Sequence, residues 1–256
     1  MQNPKSIMIT GGSSGIGAAL ARRYAGEGRL LAITGRDRER LEQVAEDCRA
    51  AGAEVVSKVV DVCDRALLDS WMAEIDRERP LDLVIANAGV SAGTGLFGEN
   101  AEQTRHILSI NVDGVVSTVL TAIALMRARG RGQVAIMSSL AAFRGFPGAP
   151  AYCASKAAVR VWGEALRGMV APQGLTVSVI CPGYVKSAMT AVNDFPMPLL
   201  MEAEKAAAII ERGLAAGKAR IVFPRRLFAV VWLLSLLPPA WTDPLLSRLP
   251  EKPASS

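Results

Sequence analysis

Seven short apolar runs punctuate the chain, and each of the first six leads into a stretch with helical spacing. The runs are KSIMIT (5–10), LLAIT (30–34), EVVSKVV (54–60), LDLVIA (81–86), QVAIMS (133–138), LTVSVI (175–180) and RIVF (220–223). The helical patterns fall at 15–27, 37–51, 64–79, 101–129, 152–171 and 202–216. A strand that is apolar along its whole length must be covered on both faces. Such strands alternating with helices predict an α/β fold, a doubly wound parallel sheet with helices on both sides. No internal repeat and no Ser/Gly linker divides the chain. We therefore expect one domain over 1–224 and a C-terminal extension over 225–256.

Half of the 256 residues are apolar, enough for a large core. The formal net charge of +5 is uneven: 218–256 holds six basic residues against Asp243 and Glu251, and the rest is close to neutral. With no basic face on the main body, nucleic acid is not an expected partner. Cys48, Cys63, Cys153 and Cys181 lack metal or disulfide spacing, and His106, the sole histidine, sits alone in helical sequence. We expect no metal, reduced thiols, small buried roles for Cys153 and Cys181, and a cytoplasmic protein. The opening MQNPKSIMITGGSSG runs from a polar start into a strand, so no signal peptide is expected.

The first strand ends in TGGSSGIG (10–17), which opens the first helix. Gly11 permits a tight turn, while Gly15 and Gly17 let backbone approach a pyrophosphate. The helix start then offers free N–H groups and partial positive charge to phosphate. Further on, YCASK places Tyr152 one helical turn before Lys156. A free phenol has a pKa of ~10, and a neighbouring cation favours the phenolate. Reaching neutrality takes about 4 kcal/mol of differential stabilisation, to which a partly buried ammonium one turn away would contribute.

The G-x-x-x-G-x-G spacing, taken with Tyr152 and Lys156, resembles the short-chain dehydrogenases/reductases. The resemblance spans 5 to about 190 and recurs at ANAG (86–89), Asn111, Ser139 and the Pro182-Gly183 pair. Ala86 replaces a common asparagine, and Ser187 a common threonine. The resemblance implies a catalytic set of Asn111, Ser139, Tyr152 and Lys156. Tyr152 would give a proton to a carbonyl oxygen that Ser139 orients. Lys156 would bind ribose hydroxyls, and Asn111 would hold a water linking Lys156 to solvent. Ser138 is the competing serine, but its place at the strand end suits a backbone hydrogen bond. The implied cofactor-binding set is Gly11, Ser13, Ser14, Gly15, Ile16, Gly17, Arg36, Asp61, Val62, Asn87, Ala88, Gly89, Tyr152, Lys156, Pro182, Gly183, Val185 and Ser187. Within it Asp61 would contact the adenine amino group. Asn87, Ala88 and Gly89 would pack on the adenosine ribose, and the Ser187 hydroxyl would reach a carboxamide. Helices at 101–129 and 152–171 would form a homodimer or homotetramer.

The second strand ends LAITGRDRERL, with Gly35 where an acidic residue would bind an adenosine 2′-hydroxyl. Arg36 follows, and its planar donors suit a 2′-phosphate. Asp37 is better placed to cap the next helix. These residues predict NADP(H) over NAD(H).

The extension carries Leu227 to Leu237, almost wholly apolar, then Pro238-Pro239 and a shorter stripe of Trp241, Leu245, Leu246 and Leu249. Eleven residues fall short of the ~20 needed to span a bilayer. Arg225 and Arg226 before the run, with Trp232 and Trp241 within it, fit peripheral membrane contact through 225–249. A lid over the substrate pocket or a subunit contact fits equally. The segment YVKSAMTAVNDFPMPLL (184–200) is also apolar enough to cover a substrate. The leading expectation is NADPH-dependent reduction of a hydrophobic ketone or aldehyde, or oxidation of the matching alcohol. Alternatives are a 3-oxoacyl reductase on a carrier-bound chain and a non-catalytic dinucleotide-binding regulator.

Overall fold

The computed structural model describes residues 3–91, 98–193 and 195–247. Its centre is a seven-stranded, all-parallel sheet in the order β3-β2-β1-β4-β5-β6-β7. The strands are β1 (Ser6–Thr10), β2 (Leu30–Gly35), β3 (Glu54–Val59), β4 (Leu83–Ala86), β5 (Gly132–Met137), β6 (Leu175–Pro182) and β7 (Arg220–Phe223). The central strands β1, β2, β4 and β5 are buried at every residue, as their uninterrupted apolar runs require. β3 is half exposed because it lies at an edge.

The helices are α1 (Gly15–Tyr24), α2 (Arg38–Ala50), α3 (Arg65–Glu78), α4 (Ala101–Leu108), α5 (Val115–Arg127), α6 (Pro150–Val170), α7 (Ala188–Ala191), α8 (Ala203–Ala215), α9 (Arg225–Leu236) and α10 (Pro239–Leu246). Several starts are written in the sequence. Asp37, Asp64 and Asn100 cap α2, α3 and α4 by accepting from the backbone three residues on. Pro150 opens α6, where its missing N–H is no loss. One core layer packs α1, α2 and α8 against one sheet face through Leu20, Leu41, Val44 and Ile210. The other face carries Leu68, Met72, Val119, Ile123 and Leu166 from α3, α5 and α6.

Three expectations need correction. The helix expected over 101–129 is two α-helices joined by a π-helical turn, Ser109–Gly114. The first helix stops at Tyr24, before Gly26 and Gly28. The strand expected at 81–86 begins at Leu83, and the Asp82 carboxylate just before it accepts from the backbone of Lys5 and Ser6. The extension folds back as α9 and α10, separated by Pro238; Leu249 lies outside the described residues.

β1 sits between β2 and β4, so the chain reverses its direction of winding there. In open α/β sheets the crevice beyond the strand ends at such a point is where ligands bind.

Candidate active site

The crevice is framed first by the glycine turn. Thr10 at the end of β1 accepts hydrogen bonds from the backbone of Asn87 and Ala88 through Oγ1, at 3.1 and 3.2 Å. The Asn87 amide in turn donates to the carbonyls of Thr10 and Gly11, both at 3.0 Å. Asn87, expected against a ribose, is thus engaged in bracing the turn. Gly15 has φ +51°, and an added Cβ would fall 2.8 Å from Cβ of Ser187. The start of α1 therefore faces the loop after β6. Ser14 stands at its N-cap without capping it, and no acidic residue occupies the first turn. The first amides of α1 are left to an outside acceptor.

The second group surrounds Tyr152 near the start of α6. Lys156 is almost fully buried; its Nζ donates to the Met137 carbonyl at 3.1 Å and lies 5.8 Å from the centre of the Tyr152 ring. Ser139, the N-cap of a short 3-10 turn after β5, sits beside the Tyr152 hydroxyl. Ser138 points elsewhere and donates to the Lys156 carbonyl at 2.8 Å, the backbone role expected of it. Asn111 lies within the π-helical turn and is fully buried. Its Oδ1 accepts from Val90 N (2.8 Å), and its Nδ2 donates to Val90 O (2.9 Å) and Ser155 Oγ (3.0 Å). Ser155 itself donates to the Tyr152 carbonyl at 2.8 Å. A Cβ placed on Gly89 would be 3.1 Å from both Asn111 Oδ1 and Lys156 Nζ, so these groups converge on one point.

The electrostatics run against the simple expectation for the pair. Burial pushes the Tyr152 phenol up to about 12, with the Ser139 hydroxyl pulling it back in part. Burial also pushes Lys156 down to about 8. Lys156 sits over the face of the ring, bound to a carbonyl, and is not among the groups that draw the phenol down.

The remaining expected residues lie at or just beyond the ends of β2, β3 and β6 and in the first turn of α1. Arg36 is exposed immediately after β2, and Asp37 is held by Arg40 and caps α2. Asp61 accepts from Cys63 N after β3, beside buried Val62. Pro182 ends β6, Gly183 N donates to Phe223 O, and Val185 bridges Met201. Ser187 caps α7. Ile16 packs on the sheet from the first turn of α1. His106 is an exposed residue of α4, and Cys153 and Cys181 are buried.

Two contributors were missed. One is Thr10, whose hydroxyl ties β1 to β4. The other is Glu99. Ala149, the N-cap of α6, offers no side-chain acceptor, and Glu99 Oε2 instead accepts from Ala151 N at 3.1 Å. Its Oε1 accepts from Thr104 Oγ1 at 2.6 Å. Nothing local marks this cap, because donor and acceptor are 52 residues apart. Glu99→Ala is expected to lower kcat roughly fivefold, since a lost cap of ~1 kcal/mol loosens the turn bearing Tyr152. Glu99→Gln, whose amide oxygen still accepts, should recover most of it. A lower melting temperature with kcat unchanged would reduce Glu99 to a structural tie.

An uncapped helix start, glycines closed against neighbouring backbone and a Tyr/Ser/Lys cluster at the winding reversal together fit a nicotinamide dinucleotide. The model of the short chain dehydrogenase family matches residues 5–195. An uncharacterized oxidoreductase of Myxococcus xanthus is 36% identical over 246 residues, 96% of this chain and 97% of that protein. An uncharacterized oxidoreductase of Mycobacterium tuberculosis is 32% identical over 243 residues, 93% of this chain and 96% of the relative. Among solved structures, a short-chain dehydrogenase/reductase from Burkholderia phymatum in complex with NAD superposes with a TM-score of 0.83 at 24% identity, covering 100% of this chain and 99% of that one. The chain belongs to the short-chain dehydrogenase/reductase family. It is an NAD(P)-dependent oxidoreductase.

Proposed function

We propose that the protein reduces the carbonyl of a hydrophobic small molecule with NADPH, or oxidises the corresponding alcohol, with Tyr152 as the acid/base. The observation that carries the reading is the cluster of Ser139, Tyr152, Lys156 and Asn111 at the crevice beside the uncapped start of α1. The bound nicotinamide supplies or accepts the hydride. Tyr152 donates a proton to the carbonyl oxygen in reduction and removes it in oxidation. Ser139, turned toward the same phenol, orients that oxygen. Lys156 would hold ribose hydroxyls with the Nζ donors that Met137 leaves free. Asn111 fixes the position of α6 through Ser155 and of the segment after β4 through Val90.

The preference for NADPH rests on the end of β2. A Cβ on Gly35 would lie 2.7 Å from Ser13 Oγ, so an acidic side chain there would have to displace Ser13. Asp37, the next carboxylate, is occupied by Arg40 and by its cap. Exposed Arg36, next in the chain after Gly35, suits a 2′-phosphate. Arg36→Ala is expected to reduce the kcat/KM ratio for NADPH over NADH roughly tenfold or more, the worth of one charge-assisted contact. An unchanged ratio would assign the phosphate elsewhere. That the Burkholderia neighbour holds NAD makes this comparison the deciding one for the cofactor.

The apolar substrate rests on Tyr184 and Phe195, which meet edge to face at 6.3 Å in the segment after β6. NADPH oxidation across ketones of increasing alkyl length is expected to raise kcat/KM about fourfold per methylene, at ~0.8 kcal/mol per buried CH₂. A flat or falling series would point to a polar substrate. For assembly, we read the outer faces of α5 and α6 as subunit contacts, because Leu120, Val161 and Met169 stand about half bare there.

A further inference from the structure

α9 and α10 have one fastened face and one bare face. On the fastened side Leu227 and Phe228 pack on Leu140, Val179 and Cys181. Phe228 meets Phe143 edge-on at 5.1 Å, and Phe143 lies under the guanidinium of Arg160 at 4.5 Å. Arg144 Nη2 donates to Thr242 Oγ1 at 2.8 Å and pairs with Asp243 at 2.9 Å. Val231 and Leu246 are buried.

On the other side Val230, Leu233 and Leu236 are 55%, 57% and 61% exposed at three-residue spacing, and Trp232 lies beside them at 45%. On α10, Trp241 (74%) and Leu245 (59%) are likewise bare, one turn apart. Side chains this bare stand on a ridge; they do not line a groove. Arg225 and Arg226 are exposed at the start of the ridge and have no ion pair among the described residues. The single carboxylate in 225–247, Asp243, is engaged by Arg144. The ridge is therefore apolar and aromatic with unbalanced positive charge.

We infer that this ridge docks on the surface of an anionic lipid bilayer. Leucine and valine enter the acyl boundary, the tryptophans sit at headgroup level, and the two arginines meet lipid phosphates. A second copy of the chain is the poorer occupant, since a ridge paired with its own copy offers Arg225 and Arg226 no free carboxylate within 225–247. Because the fastened side rests on Leu140, directly after Ser139, docking holds the crevice close to the bilayer. The inference does not depend on the reaction, and its readout is binding.

The test is co-sedimentation of the full chain with phosphatidylcholine vesicles, with and without phosphatidylglycerol. Binding to the anionic vesicles is expected, weakening as salt is raised. The double variant Arg225→Gln/Arg226→Gln should bind about 30-fold more weakly, and Leu233→Ser/Trp241→Ser should not bind. Retained NADPH binding and an unchanged melting curve show that these variants fold. No binding to anionic vesicles at low salt, or binding indifferent to the two arginines, would overturn the inference. So would a dimer in sedimentation equilibrium that Leu233→Ser/Trp241→Ser dissociates, which would assign the ridge to a second copy.

Discussion

Tyr152→Phe is expected to lower kcat on the order of 10²–10⁴-fold, the usual worth of a positioned acid or base, while NADPH still binds. The substitution removes one hydroxyl and keeps the ring over which Lys156 lies, so neither α6 nor the Lys156–Met137 contact need move. The same group sets the pH profiles. Burial holds the phenol protonated up to about 12 in the protein alone. Reduction uses the protonated form and should be flat through neutral pH, falling only in alkali. Alcohol oxidation uses the phenolate and should rise about tenfold per pH unit below the phenol's pKa. Positive charge brought against the ring, as by an oxidised nicotinamide, shifts that rise to lower pH. Turnover of the phenylalanine variant at the parent rate, measured by NADPH oxidation, would take Tyr152 out of the chemistry.

Gly17→Ala is the second large effect. A Cβ at Gly17 would fall well inside van der Waals contact of the Gly11 carbonyl oxygen and 2.5 Å from Asn87 Nδ2. Neither atom can rotate away: one is backbone, and the other is fixed by two hydrogen bonds. Overpacking typically costs ~1–3 kcal/mol, and here the strain falls on the turn that cradles phosphate, so NADPH affinity should drop roughly 30-fold or more. Fluorescence titration with NADPH and thermal melting measure both parts. An alanine variant that binds as tightly as the parent would show that this turn does not hold the cofactor.

The sheet was legible because the buried strands are mostly apolar on both faces, with isolated polar residues such as Thr34, Gln133 and Ser178, a pattern that survives without knowledge of the partner strand. The π-helical turn was not, since SINVDG has helix-compatible residues and no proline or glycine marks the widening before Gly114. Within the site, spacing separated Ser139 from Ser138, and the structure gives Ser138 the backbone bond. The bracing role of Asn87 was not legible, because its partners Gly11 and Thr10 lie 76 and 77 residues earlier. The burial of the pair was not legible, because spacing shows proximity along a helix and not depth; burial pushes the phenol up and the ammonium down.

Val90 and Glu99 are both tied to α6, the first through Asn111 and Ser155, the second through the amide of Ala151. The start of α6, with Tyr152 and Lys156 on it, is thus moored to two segments far away in sequence. Side chains that never meet the substrate thereby set where the reacting groups stand.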